Sequence, residues 1–166
     1  EGKFKADICR VAALYQEGGY YFDVDMRTLK AFQADEYNAT FVSVYNGKIF
    51  AQSFIASQPK SPILRKAMDF MLEHYEGTRE VRLGLVGPST LYDAYYFVND
   101  SHRKDGFLLQ EINLNLPRFR KQNMYPDLPR QFGRGCCCNC IMHDPEKKDV
   151  FFFSRMIGSG QWCDFR

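Results

Sequence analysis

The sequence predicts an α/β domain, because short strand-like apolar runs alternate with amphipathic helical stretches along the 166 residues. Three observations carry this reading: a helix that runs through a glycine stop into an aromatic strand, an Asn-Gly hairpin, and two later helices with clear start signals. Ala6 to Glu17 has Ile8, Val11, Ala12 and Tyr15 at i, i+3, i+4 and i+7, which predicts one apolar stripe on a helix. Gly18-Gly19 stops that helix, since glycine readily takes the left-handed cap conformation. Tyr20 to Val24 then reads as a short buried strand.

The hairpin follows. Thr40 to Tyr45 alternates, Asn46-Gly47 is a strong turn signal, and Lys48 to Ile55 reads as the returning strand. Ser61-Pro62 starts the next helix, with Ser as N-cap and Pro at the first helical position. Leu64, Ala67, Met68, Met71, Leu72 and Tyr75 are predicted as its buried face. Gly87-Pro88-Ser89 opens a further helix, in which Leu91, Ala94, Tyr95 and Val98 repeat the spacing. Val150 to Ser154 reads as a late strand. Residues 117–149 are rich in Pro, Gly, Arg and Cys and read as an irregular insertion within one catalytic domain spanning 1–166.

Composition narrows the function class. Hydrophobic residues make up 45% and charged residues 25%, which allows a packed core and argues against disorder. A net charge of +2 is too small to make nucleic acid or an anionic membrane the main partner. Four of the six cysteines crowd into Cys136-Cys137-Cys138-Asn139-Cys140. That spacing fits no zinc finger or ribbon, which needs two separated ligand pairs. Adjacent cysteines of this kind pair with distant ones such as Cys163 or Cys9 in a secretory compartment, or stay as thiols in an intracellular one.

The chemistry is predicted to lie at Asp23-Val24-Asp25. In extended chain, residues i and i+2 point to one face, so both carboxylates would aim at one place. Two like charges that close raise each other's pKa unless a cation lies between them. Hard oxygen ligands suit Mg2+ or Mn2+, which bind through one or two carboxylates plus substrate phosphates. The pair therefore reads as a metal–phosphate site. The residues alone do not choose between a transferase and a metal-dependent phosphohydrolase, although the latter needs a water-activating base or a nucleophile that the sequence does not display.

The run from Lys5 to Asp25 resembles the signature of the DXD-containing sugar-binding glycosyltransferases. It holds Ala6-Asp7, Arg10, Leu14-Tyr15, Gly18-Gly19 and Asp23-Val24-Asp25 in order. That group includes the Och1-type mannosyltransferases, the alpha-1,4-galactosyltransferases and, more distantly, the large glucosylating bacterial toxins. Ser53-Phe-Ile-Ala-Ser57, Ser61-Pro62 and Gly87-Pro88 resemble the family's middle block. The resemblance implies a GT-A type nucleotide-diphospho-sugar transferase fold, a mixed sheet flanked by helices. The implied activity is retaining transfer of a hexose from a UDP- or GDP-sugar to a glycan, lipid or protein acceptor, with Mn2+ or Mg2+. It also implies that the first βαβ part of such a fold lies upstream of Lys5, so the chain reads as N-terminally truncated. A membrane anchor would lie further upstream, giving a Golgi type II membrane protein in a eukaryote and a cytoplasmic or membrane-associated one otherwise. A catalytically inactive carbohydrate-binding relative is the non-enzymatic alternative.

By position in the motif, Asp7 and Arg10 would contact the donor sugar, its ribose or its phosphate, and Tyr21 would line the donor pocket, with Tyr20 an equal candidate. Asp23 would bind the sugar or ribose and share the metal, Asp25 would be the metal's main protein ligand, and Asp23 and Arg10 would carry catalysis. Gly158-Ser-Gly-Gln-Trp162 resembles the family's closing Ser-Trp element, which assigns Ser159 and Trp162 to the donor diphosphate. His143 reads as a solvated loop histidine rather than a metal ligand, His74 and His102 as surface residues, and Lys147-Lys148 as a solvated charge pair.

Overall fold

A computed structural model of the chain describes residues 2–47, 49–113 and 139–155. In chain order the elements are α1 (Gly2–Glu17), β1 (Gly19–Phe22), β2 (Met26–Thr28), β3 (Phe41–Tyr45), β4 (Phe50–Ser57), α2 (Pro62–Tyr75), α3 (Val86–Phe97), the single turn α4 (Asp100–Arg103), β5 (Gly106–Asn113), β6 (Asn139–His143) and β7 (Val150–Arg155). The class is α/β, as the alternating pattern predicts. The chain divides into two compact units, one of Glu1–Asp23 with Gln33–Leu109 and one of Val24–Phe32 with Gln110–Arg166. No helix among the described residues is long and apolar enough to cross a membrane.

In the first unit, β4 lies between β1 and β3 and runs antiparallel to both. The predicted hairpin is the β3–β4 pair, with Tyr45 opposite Phe50 and Gly47 at φ 94° in the turn. The stop after α1 also forms as expected. Gly18 has φ 70°, its N–H donates to the Leu14 carbonyl at 2.8 Å, and a Cβ there would lie 2.7 Å from Pro59 Cδ. Helices α1, α2 and α3 pack around Val11, Leu14, Leu64, Ala67, Met71, Leu91 and Ala94, all buried.

Several predicted faces are rotated. On α1 the inward positions are Val11 and Leu14, whereas Ile8 is 37% exposed. Asp7 is i−4 to Val11 and i−7 to Leu14, so a carboxylate takes the place on the stripe that the apolar count gave to Ile8. On α2 the buried side is Ile63, Leu64, Ala67, Phe70 and Met71, while Leu72 and Tyr75 face outward. Ser61 stands at the N-cap position without a side-chain capping bond. β1 is not the buried strand that its aromatic residues suggest, since Tyr20 and Phe22 are more than half exposed and only Tyr21 turns inward.

The second unit holds β2, β6, β7 and the last residues of β5 in antiparallel register: Ile112 opposite Ile141, Ile141 opposite Phe153, and Phe153 opposite Arg27. Ile112, Ile141 and Phe153 form its small core, with Leu29 and Val150 against it. β6 falls inside the stretch expected to be irregular; its apolar run is only Cys140, Ile141 and Met142, which does not stand out from the cysteines that precede it in sequence. The β6–β7 turn is closed by Asp144, whose Oδ1 accepts from the Glu146 and Lys147 N–H groups at 2.8 and 3.1 Å. His143 is a correction: it is a strand residue, 1% exposed, with burial holding its imidazole below the usual pKa. His74 is half-buried, with Nδ1 3.0 Å from the Arg79 carbonyl oxygen, while His102 is exposed as expected. Cys9 is an exposed thiol. Cys136, Cys137, Cys138, Cys163, Ser159 and Trp162 lie outside the described residues.

Candidate active site

The site is built where the end of β1, the start of β4 and the first half of α1 meet. β1 ends at Phe22, but its ladder continues one step, since the Asp23 N–H donates to the Ser53 carbonyl at 2.8 Å. That bond fixes the Asp23 backbone against β4. The neighbouring Gln52 carbonyl accepts from Arg10 Nη1 at 2.9 Å. Arg10 thus bridges helix and sheet before any side-chain charge is counted.

Its guanidinium then meets two acids. Nη1 is 3.2 Å from Asp23 Oδ1, and Nη2 is 3.6 Å from Asp7 Oδ1 one helical turn back. The Tyr21 hydroxyl donates to the same Asp23 Oδ1 at 2.6 Å, and the Arg10 guanidinium carbon lies 4.5 Å from the Tyr21 ring centre. Arg10 and Asp7 are largely buried, with side chains 13% and 16% exposed, and Asp23 is 35% exposed. Burial first, then the hydrogen bond and charge of Asp23, push the Tyr21 hydroxyl up to about 12. Tyr21 is therefore a fixed proton donor to Asp23 across the neutral range.

The structure brings together Asp7, Arg10, Tyr21 and Asp23, four of the residues the motif selects. Tyr21, not Tyr20, is the inward tyrosine; the Tyr20 hydroxyl accepts from the Ala34 N–H at 3.2 Å. Asp25 is placed differently from the expectation. The strand has ended by Phe22 and Val24-Asp25 form a turn, so the same-face argument for extended chain does not describe this pair. Val24 is fully exposed between the two acids.

Two neighbours of the set escaped the sequence reading. Gln52 is 4% exposed, and neither its Nε2 nor its Oε1 has a hydrogen-bond partner among the described residues. Gly87, in the first turn of α3, packs so closely that a Cβ would lie 2.5 Å from Gln52 Oε1 and 2.6 Å from Asp7 Oδ2. Gly87-Pro88 stood out in the sequence as a helix start and as part of a block, without a role at the site. Gln52 immediately precedes Ser53-Phe-Ile-Ala-Ser57 and carries no motif signal of its own.

A divalent cation fits the chemistry of this donor set. Its hard carboxylate oxygens are the ligand type such an ion takes, and Asp7 and Asp23 present them on either side of one guanidinium. Among the described residues no three His, Cys, Asp or Glu side chains gather into a complete metal cage. The remaining ligands would come from substrate phosphates and water, as is usual for Mg2+ and Mn2+.

Residues 2–43, which supply Asp7, Arg10, Tyr21, Asp23 and Asp25, match the family described as glycosyltransferase sugar-binding region containing DXD motif. Among solved structures the chain is similar to PaToxG glycosyltransferase, with 26% identity and a TM-score of 0.46. That alignment covers 57% of this chain and 34% of the other, so the chain spans about a third of that structure's length. No curated protein matches the chain.

Proposed function

We propose that the chain, on a GT-A type fold, transfers a hexose from a UDP- or GDP-sugar to a glycan, lipid or protein acceptor with retention of configuration, with Mn2+ or Mg2+ held through Asp23 and Asp25. The observation that carries this reading is the Arg10 guanidinium, which ties Asp7 on the helix to Asp23 of the DXD motif inside the matched sugar-binding region.

The roles follow from the contacts. Arg10 orients both acids and brings a positive charge beside Asp23, where a diphosphate's negative charge would otherwise be repelled. The Tyr21 hydroxyl fixes the Asp23 carboxylate by a second bond to the same oxygen, which keeps its orientation before donor arrives. Asp7 presents an acceptor for sugar hydroxyls at the buried end of the set. Asp23 and Asp25 would hold the cation, which when bound neutralises charge on the departing diphosphate. Ser159 and Trp162 enter the proposal as a closing element over the diphosphate, by the motif alone.

Turnover of a panel of UDP- and GDP-sugars with Mn2+ or Mg2+, with glycerol or water as default acceptor, tests the reading. Release of nucleoside diphosphate that needs both the cation and the hexose is the expected result. Cleavage of simple phosphate esters instead would favour the phosphohydrolase, and donor binding without turnover the inactive carbohydrate-binding relative.

A further inference from the structure

Gln52 is the most anomalous polar group in the first unit. Its side chain is 4% exposed and carries one acceptor and two donor hydrogens, yet neither amide atom is satisfied among the described residues. A buried carboxamide left in that state costs roughly 1–3 kcal/mol relative to a satisfied one. Such groups are rare in folded proteins, and a ligand that completes them is one of the accepted explanations.

Its surroundings specify what could complete it. Gln52 Oε1 and Asp7 Oδ2 both lie within 2.6 Å of the point that a Cβ on residue 87 would occupy, so two oxygens from α1 and β4 converge beside the first turn of α3. The same Gln52 residue holds Arg10 through its backbone carbonyl, which places the carboxamide inside the site's bonding network. A carboxylate accepts only, a guanidinium donates only, and a carboxamide does both. A phosphate is a poor match for this corner, because it offers acceptors to a carboxylate and a carboxamide oxygen. A cation is also a poor match for a corner that Arg10 already bounds. A group that donates and accepts from adjacent atoms satisfies all three, and vicinal hydroxyls of a sugar ring do that.

We propose that the Gln52 carboxamide, with Asp7 and the close-packed Gly87, forms a hydroxyl-reading corner that selects the hexose of the donor and takes no part in holding its diphosphate. This rests on the glycosyltransferase reading and adds to it a specificity-determining residue. Gly87 acts here as a positioning residue, since any side chain would push Gln52 or Asp7 away. Because the carboxamide is unsatisfied without sugar, the empty protein carries the cost and the sugar-bound protein does not.

Binding by the full chain of UDP-glucose, UDP-N-acetylglucosamine and GDP-mannose, each compared with UDP or GDP alone in Mn2+, tests this with Gln52→Met and Gln52→Ala. Gln52→Met should leave binding of the free diphosphate within twofold, weaken the preferred nucleotide-sugar at least about tenfold, and flatten the preference among the sugars. Its Tm without ligand should be unchanged or a few degrees higher, because a buried unsatisfied polar group has been replaced by an apolar one of similar size. A purely structural Gln52 would give the reverse, a lower Tm with unchanged sugar preference, and that would overturn the proposal. Equal weakening of free diphosphate and nucleotide-sugar would overturn it as well, by assigning Gln52 to the diphosphate. Unchanged sugar binding in both variants, with wild type binding normally, removes the corner and leaves the transferase reading standing. If wild type binds no member of the panel in Mn2+, both fall together.

Discussion

Two arginines in the first unit sit in nearly the same surroundings and do different things. Arg10 lies between Asp7 and Asp23 with the Tyr21 ring 4.5 Å away. Arg79 lies between Glu73 and Asp93 with the Phe70 ring 3.5 Å away. The difference is in what adjoins each set. Arg82 joins the second set at 3.1 Å from Asp93, so two cations face two carboxylates, and the set closes the loop between α2 and α3 on itself. The Arg10 set borders the Gln52 carboxamide, a neutral group whose donor and acceptor atoms are both unsatisfied, whereas the unsatisfied atom of the Arg79 set is Arg79 Nε itself. The Arg79 cluster is a clip between two helices, and the Arg10 cluster beside an unsatisfied carboxamide is a candidate site.

The sharpest way to break this contrast is to remove the carboxylates proposed to hold the cation. Asp25→Asn should abolish Mn2+-dependent binding of the nucleotide-sugar in calorimetry, and Asp23→Asn should do the same, with the fold of Asp25→Asn intact by circular dichroism. Undiminished Mn2+-dependent binding in a folded Asp25→Asn protein would remove the DXD acids from the metal.

Next in size is the exchange of effects between the arginines. Arg10→Ala should lower donor affinity about a hundredfold or more, a loss consistent with truncating a buried, charge-assisted anchor. Arg79→Ala should leave donor affinity within twofold while destabilising the fold by about 2 kcal/mol, from its lost ion pairs and aromatic contact. If Arg79→Ala damages donor binding as much as Arg10→Ala does, the carboxamide beside Arg10 does not distinguish site from clip.

The Arg10 set was the most legible part of the molecule, for a definite reason. Asp7, Arg10, Tyr21 and Asp23 lie within seventeen residues, and chemistry at that range leaves a linear signature. Gln52 and Gly87 meet the same site from 42 and 77 residues beyond Arg10, and what marks them is missing partners and missing space, which no single stretch of sequence displays. The same limit explains the rotated faces. Apolar counting assumes that the inward side of a helix is apolar, and α1 spends part of its inward side on Asp7 and Arg10. The left-handed Gly18 stop and the Asn-Gly hairpin were legible because each depends on local backbone geometry. β6 was hidden by its brevity.

A pair of glycines sharpens the comparison further. Gly87→Ala should reduce nucleotide-sugar affinity about tenfold, because its Cβ would meet Asp7 and Gln52 at 2.6 Å or less. Gly77 lies near Arg79 in sequence, has φ 76°, and has open space around its would-be Cβ. Gly77→Ala should therefore cost about 1 kcal/mol through backbone strain and leave binding unchanged. Surface plasmon resonance and thermal melts should separate the two variants by which quantity falls: binding for Gly87→Ala, stability for Gly77→Ala.

The smallest expected effect belongs to Tyr21, and it is the one with a pH signature. Tyr21→Phe keeps the ring beside Arg10 and removes only the 2.6 Å bond to Asp23 Oδ1. Donor affinity should fall a few-fold, and stability at neutral pH by about 1 kcal/mol. The folded chain holds the Tyr21 proton up to about 12, through burial first and then Asp23, whereas the ordinary value is 10.0. Between those pH values the unfolded chain binds fewer protons than the folded one, so stability falls as pH rises. The Tyr21 contribution is thus complete below pH 10 and lost as pH climbs through about 12. Urea denaturation of wild type and Tyr21→Phe at stepped alkaline pH should show their stability gap constant up to about 10 and closing above it. A gap that closes near neutral pH would mean that Tyr21 is not the donor to Asp23, and Asp23 would then be oriented by Arg10 alone.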